Sequence, residues 1–477
     1  MPLGKEPYRI EHISISEILN AISGHMLWGD HTQDIRGISI DSRTIKEGEI
    51  FFAIEGERYD GHDFITDAIN RGARVIVVER AKRGYIEKIH NGDISVILVD
   101  NTIYALGELA RWWRGQNSAT VIAITGSVGK TTTKEMLYLI VSRQRATLKN
   151  RGNQNNLIGV PLTLFRMDSS HQVVILEMGT NSPGEIGRLR EIADPDIALI
   201  TMIGSAHLEG LKDVEGVLKE KLSLFAETRK ETIKIINGDC DILKSACKRL
   251  GISALTYGLG EENSFQAREI EDKGMNGISF KVCFRDICLP ITLNISGLHN
   301  VYNALAAISV SILLGIPSDE ISKALFHFKG IDGRFRIIRC DHNITLIDDT
   351  YNSNPTSLKA AIQNLLGWKI DGKGLIVVIG DMLELGAESP RFHLEAGKEI
   401  APLRPRLFIT IGGYAKELVR GACEEGLPVE NTVVLNRVED IVSVISEKIR
   451  EGDIIFLKAS RKIGLDRVID ALLEGVS

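Results

Sequence analysis

The chain has 477 residues, 44% of them hydrophobic and 25% charged, and a net charge of −6 at pH 7. That length exceeds one hydrophobic core and predicts several soluble globular domains. The acidic balance argues against a nucleic-acid partner, and no uncharged apolar run is long enough to form an integral membrane segment.

The first twenty-four residues, MPLGKEPYRIEHISISEILNAISG, lack the apolar core of a signal peptide, which predicts a cytoplasmic protein. Residues 1–117 read as a mixed α/β domain containing "DSRTIKEGEIFFAIEGERYDGHDF" and the strand "ARVIVVE". From Ala119 onward, short β-branched runs alternate with helical stretches. "ATVIAITG" precedes "TTTKEMLYLIVSR", "HQVVILEMG" precedes "GEIGRLREIA", and "DIALITMIG" precedes "VEGVLKEKLSLFAE". This alternation predicts a parallel sheet covered by helices on both faces. Residues 258–295 switch to Gly-rich alternating strands, which suggests a small antiparallel insert. The helix "NVYNALAAISVSILLG" follows, stopped by Gly315 and Pro317.

After "GIDGRFRI" the strand–helix period restarts with "ITLIDDT", "LIVVIGD", "RLFITIGG", "TVVLN" and "DIIFLKAS". The Gly330–Gly333 segment is a natural hinge. The predicted architecture is α/β in three domains: a mixed N-terminal domain over 1–117, a central parallel-sheet P-loop ATPase domain over 118–331, and a Rossmann-like domain over 332–477. Six scattered cysteines, Cys240, Cys247, Cys283, Cys288, Cys340 and Cys423, form no Cys-x-x-Cys pair and are expected to be free thiols in a reducing cytosol.

"ITGSVGKTTTKEML" joins a strand to a helix through a glycine-flanked turn. Gly126, Ser127, Val128 and Gly129 would let backbone N–H groups curl around phosphate oxygens at a helix N-terminus. Lys130 would reach the β/γ-phosphates, the Thr131 hydroxyl would ligate Mg²⁺, and Thr132 completes the loop. A full-length Walker loop has a glycine five residues before the second one, and that position is Ile124, so this loop is shortened. Glu177 ends the strand "VVILE" on the sheet edge where open α/β folds bind ligands, and its carboxylate suits Mg²⁺.

The loop Gly126–Thr132 resembles that of the Mur ligases, which build the peptide stem of bacterial peptidoglycan. The resemblance runs on, in order, through "NRGNQNNLIGVPLTL", "LEMGTNSPGEIGRL", "SAHLEG", "KEKLSLF", "GLHNVYNALAA", "GRFR", "IDDTYNSNPTSLKAAI" and "GDMLELG". It is strongest to family members that join D-alanyl-D-alanine to UDP-N-acetylmuramoyl tripeptide. The Asp-Asn-Pro-Arg motif expected of members that add meso-diaminopimelate is absent.

The resemblance implies ATP and Mg²⁺ as cofactors; a monomer is the expectation for the assembly. It implies that His207 and Lys221, the latter carbamylated, hold a second Mg²⁺ and join Lys130 in catalysis. Asn300, Arg334 and Asp349 are implied to contact ATP, the last two after domain closure. Asn153, Asn155, Asn156 and Thr180 are implied to contact substrate, and Ser42 and Arg43 to receive its UDP end. Asn300 and Asn303 could instead cap their helix. Two other readings stay open: another amino-acid ligase of the Mur or folylpolyglutamate type, and a P-loop regulatory ATPase.

Overall fold

Three large sheets organise the chain in the computed structural model, which describes residues 13–31, 34–86, 94–205, 208–368 and 374–476. In the first domain the strands His25–Trp28, Ser95–Val99, Val75–Glu79, Glu49–Phe52 and Gly37–Ser39 lie side by side. Only the His25–Trp28 edge is antiparallel. Side chains alternate across a strand, so Ile50 and Phe52 enter one core while Phe51 enters another. Both faces are covered, which is why these strands read as unbroken apolar runs.

The helix Thr102–Gly115 fastens this domain to the next. Trp113 Nε1 donates to the Met167 carbonyl at 3.0 Å, and Arg114 pairs with Asp196 at 3.0 Å.

In the middle domain Thr120–Thr125 lies between Val173–Glu177 and Ile197–Ile200, all parallel. Register sets Ile124 beside Glu177 and Thr125 beside Ile200, so three strands deliver their carboxyl ends to one place. The segment read as a small insert is antiparallel, as expected, but it is not separate. Phe265–Asp272, Ile278–Phe284 and Ile287–Leu293 extend the main sheet to nine strands, because Phe265–Asp272 pairs with Leu255–Gly258.

This hairpin corrects the reading of six free thiols. Cys283 and Cys288 sit directly opposite one another across the turn and form a disulfide, with Cα atoms 4.2 Å apart. The other four cysteines are free.

In the last domain Thr345–Asp349, Ile454–Lys458, Leu375–Gly380, Leu407–Ile411 and Thr432–Leu435 are parallel, with Arg336–Arg339 antiparallel at one edge. Asp349 and Lys458 end neighbouring strands in register. No helix among the described residues is long and apolar enough to cross a membrane.

Candidate active site

The turn after Thr120–Thr125 has no room for a side chain at Gly126 or Gly129. Gly126 and Gly129 adopt φ of 146° and 87°, values that favour glycine. A Cβ on Gly126 would lie 2.1 Å from Thr201 Oγ1, and one on Gly129 would lie 2.4 Å from Asn303 Oδ1. The loop is pinned from the neighbouring strand. Ser127 N–H donates to the Met202 carbonyl at 2.7 Å, Ser127 Oγ donates to the Gly204 carbonyl at 3.0 Å, and Thr201 Oγ1 donates to the Val128 carbonyl at 2.6 Å. These contacts leave the N-terminus of the helix Lys130–Val141 as a rigid collar of N–H donors suited to an anion.

Lys130 folds back on this collar, donating to the Gly126 carbonyl at 2.6 Å. Burial lowers its proton affinity from the ordinary lysine value, and the nearby Glu177 charge opposes that.

Glu177 is 3% exposed. Its Oε1 accepts from Asn155 Nδ2 at 2.9 Å, while its buried Oε2 has no hydrogen-bond partner. The nearest cation is Lys134, whose Nζ lies 3.6 Å away and donates to the Asn150 carbonyl at 3.2 Å. Burial works to raise the Glu177 carboxyl, but Lys134, Lys130 and the Asn155 amide outweigh it and hold the group below the ordinary glutamate value. The Asn150 side chain brackets the Glu177 backbone, accepting from its N–H at 3.0 Å and donating to its carbonyl at 2.8 Å. The "NRGNQNN" loop therefore serves to fix this carboxylate.

Facing the phosphate loop across a cleft of about 500 Å³ is the last domain. Arg334, from the hinge, brings Nη2 to 3.5 Å from Thr131 Oγ1 and stacks over the Tyr351 ring at 4.0 Å. Asp349 accepts from Lys458 Nζ at 2.6 Å and from the Phe335 N–H at 3.1 Å. Burial pushes the Asp349 carboxyl up and the Lys458 ammonium down, against their mutual attraction. Both line the cleft, as do Ser127, Val128, Gly129, Lys130, Thr131, Thr132 and Arg334. The hinge arginine and the strand-end aspartate thus share one cleft with the phosphate loop.

Other expected residues fall elsewhere. Asn300 is buried beneath the cleft wall, its Nδ2 donating to the Ser296 carbonyl at 2.8 Å. Asn303, one helical turn later, lines the cleft. Neither asparagine is the helix cap, which is Gly297.

Lys221 is 1% exposed. Burial, reinforced by the Lys130 charge, drives its amine well below the ordinary lysine value against Glu220, Glu185 and Glu177. Thr180 is buried and donates to Glu185 at 2.9 Å, so its hydroxyl is committed to the protein. The Asn156 side chain accepts from the Gly159 N–H at 2.8 Å, at the start of the helix Gly159–Leu164, and Asn153 is exposed. Ser42 is buried in the first domain, while the exposed Arg43 pairs with Asp41 at 2.7 Å; neither lines the cleft. His207 lies outside the described residues.

Sequence reasoning missed Lys134 and Lys458. The signal for Lys134 was present: it follows Lys130 by one helical turn, on the same face. Lys458 carried none beyond its place at a strand end.

Glu177 and Thr131 suit a hard cation. An anionic oxygen without a hydrogen-bond partner and a hydroxyl beside a phosphate collar are oxygen donors of the kind Mg²⁺ takes alongside phosphate and water. Among the described residues no group of three or more His, Cys, Asp or Glu forms a self-sufficient metal cage.

Three family models match this chain: Mur ligase middle domain over residues 124–311, Mur ligase glutamate ligase domain over 333–461, and Mur ligase family catalytic domain over 34–114. The UDP-N-acetylmuramoyl-tripeptide–D-alanyl-D-alanine ligase of Bacillus subtilis (strain 168) is 33% identical, covering 97% of this chain and 98% of its own. Among solved structures, MurF from Acinetobacter baumannii superposes with a TM-score of 0.87 at 30% identity, covering 98% of this chain and 100% of its own. MurF ligase from Thermotoga maritima, solved in complex with ADP, gives 0.80 at 27% identity over 92% and 97% of the two chains.

Proposed function

This chain belongs to the Mur ligase family, and on that premise we propose that it joins D-alanyl-D-alanine to UDP-N-acetylmuramoyl tripeptide, converting ATP to ADP and phosphate, in peptidoglycan precursor synthesis. The observation that carries the reading is the shared cleft. Arg334 and Asp349 of the last domain stand against the phosphate loop of the middle one, in a chain alike over its whole length to ligases of that name.

The nucleotide is spent on making a bond. An oxygen of the tripeptide's terminal carboxylate attacks the γ-phosphorus, forming an acyl phosphate and expelling ADP. The dipeptide amine then attacks the acyl carbon, loses a proton and expels phosphate, leaving an amide.

The obstacle is the approach of a carboxylate to a triphosphate, and fixed positive charge offsets it. The N–H collar from Gly126 to Thr132 holds the phosphates, Lys130 turns from its carbonyl contacts to the β/γ oxygens, and Arg334 adds a second cation from the hinge. Asn303 and Asp349 face the nucleoside. Thr131 and Glu177 would hold Mg²⁺, which when bound supplies further neutralisation of the phosphate oxygens.

Lys221 and His207 would hold a second ion in this reading. Burial disfavours the charged form of the Lys221 amine, and addition of carbon dioxide to the neutral amine, with release of a proton, would make it an anionic carbamate. Closure of the last domain excludes water from the acyl phosphate.

The test is ADP release from purified protein with UDP-N-acetylmuramoyl tripeptide, with and without D-alanyl-D-alanine. Release that depends on both is expected. Turnover with a single amino acid would point to a different ligase, and hydrolysis independent of either substrate to a regulatory ATPase.

A further inference from the structure

The incoming dipeptide has two charged ends with opposite needs. Its amine must lose a proton and reach the acyl carbon, whereas its carboxylate survives the reaction and must be kept from the reacting centre. A site for it therefore needs one cation that is not already committed, set about a dipeptide's length from the phosphate loop.

The cations around the cleft are mostly committed. Lys130 is tied to loop carbonyls, Lys134 to Glu177, Lys458 to Asp349, and Arg334 reaches Thr131. Arg461 differs. It opens the turn Arg461–Ile463, three residues past Lys458 at the carboxyl edge of the last sheet, and its side chain is exposed. It contacts the ring of Tyr351, whose centroid is 5.0 Å from the Arg461 guanidinium carbon, and no carboxylate pairs with it among the described residues.

Tyr351 is also the ring over which Arg334 stacks, at 4.0 Å, while Arg334 Nη2 touches Thr131. One aromatic ring therefore spaces a guanidinium at the phosphate loop from a second, available one. The ring is itself held, with Tyr351 N–H donating to the Gly333 carbonyl at 3.0 Å. The two guanidinium carbons, 4.0 and 5.0 Å from the same ring centroid, are therefore no more than about 9 Å apart, a gap that two residues of extended chain, spanning roughly 7 Å, can bridge. Stacking also orients the planar fork of Arg461, leaving its N–H edge for bidentate pairing with a carboxylate.

We propose that Arg461, spaced from the phosphate loop by Tyr351, binds the free carboxylate of the incoming dipeptide and so sets the enzyme's preference for an acceptor that ends in an acid. This rests on the ligase reading above. With the carboxylate at Arg461, the amine points back past Tyr351 toward Arg334 and Thr131.

The test compares D-alanyl-D-alanine with its C-terminal amide in wild type and in Arg461→Gln and Arg461→Met, following ADP release with ATP and UDP-N-acetylmuramoyl tripeptide present. A charged hydrogen-bonded pair predicts that the wild type has a KM about 10- to 100-fold higher for the amide. Both variants should show that higher KM with the acid and lose the discrimination, while KM for ATP and for the UDP substrate stays unchanged. A merely structural role would not erase the acid-to-amide ratio. Variants that keep the ratio, or a wild type indifferent to amidation, overturn the assignment to Arg461 alone. A wild type without dipeptide-dependent turnover overturns the ligase reading and this one with it.

Discussion

Replacing Lys134 by Met removes the cation nearest to Glu177; Lys134 also lies 3.3 Å from Glu135, which keeps Lys149 as a partner, so the double variant with Glu177 is what isolates the buried pair. Lys134 is 1% exposed and its Nζ lies 3.6 Å from an oxygen that has no hydrogen-bond partner. The substitution preserves much of the volume and leaves a buried carboxylate without its nearest cation. Removing one partner of a buried ion pair costs about 3–5 kcal/mol. A domain of roughly 150–250 residues loses about 2–4 °C per kcal/mol, so the middle-domain transition should fall by about 6–20 °C.

The pH dependence follows from the direction of the Glu177 shift. A carboxyl held below its ordinary 4.5 contributes stability that is present above that value and is lost as pH falls through the folded one. The gap between wild type and Lys134→Met should therefore be widest at neutral pH and close on acidification. Calorimetry of the wild type, Lys134→Met, Glu177→Gln and the double variant completes the cycle, with the double variant recovering most of the loss. A drop under about 2 °C for Lys134→Met, or a double variant no more stable than it, would refute the reasoning.

Lys130→Ala should abolish ADP formation while leaving the melting curve close to wild type, since its hydrogen bonds go to loop carbonyls and Lys134 stays beside Glu177; a stopped assay beside a thermal scan checks both. Gly129→Ala should lose nucleotide binding, because its Cβ meets Asn303 Oδ1 at 2.4 Å in a backbone conformation with φ of 87°; titration with ADP reads this directly. In the first domain, burial alone would raise the Asp60 carboxyl, but Lys82 and His62 bring it down to about 2. Asp60→Asn should therefore destabilise that domain at neutral pH, with the difference shrinking as pH falls from about 4 toward 2, followed by thermal scans across that range.

The phosphate loop was legible because its demands are local: glycines where the backbone turns to positive φ, then Lys and Thr at fixed spacing before a helix. The strand–helix alternation was legible for the same reason. Interactions set by register or by domain placement were not. Lys458 and Asp349 are separated by 109 residues and meet only because their strands pair in the sheet. Asn300 and Asn303 both opened a helix in the sequence, and one turn of helical phase decides which reaches the cleft. Cys283 and Cys288 are close in sequence, but their pairing depends on where the hairpin turns.

Lys134 follows Lys130 by one helical turn, but that its charge meets a strand-end carboxylate depends on how the helix packs on the sheet. The polar loop "NRGNQNN" pointed to substrate, yet two of its amides, Asn150 and Asn155, are spent on Glu177. A functional site is supported by residues whose signal, in sequence, is indistinguishable from ordinary polarity.

The most direct measurement follows one oxygen atom. UDP-N-acetylmuramoyl tripeptide labelled with ¹⁸O in its terminal carboxylate is turned over with ATP and D-alanyl-D-alanine, and the released phosphate is weighed by mass spectrometry. Passage through an acyl phosphate predicts one labelled oxygen in each phosphate formed, whereas unlabelled phosphate, with its new oxygen drawn from water, would contradict the use of the nucleotide to make a bond.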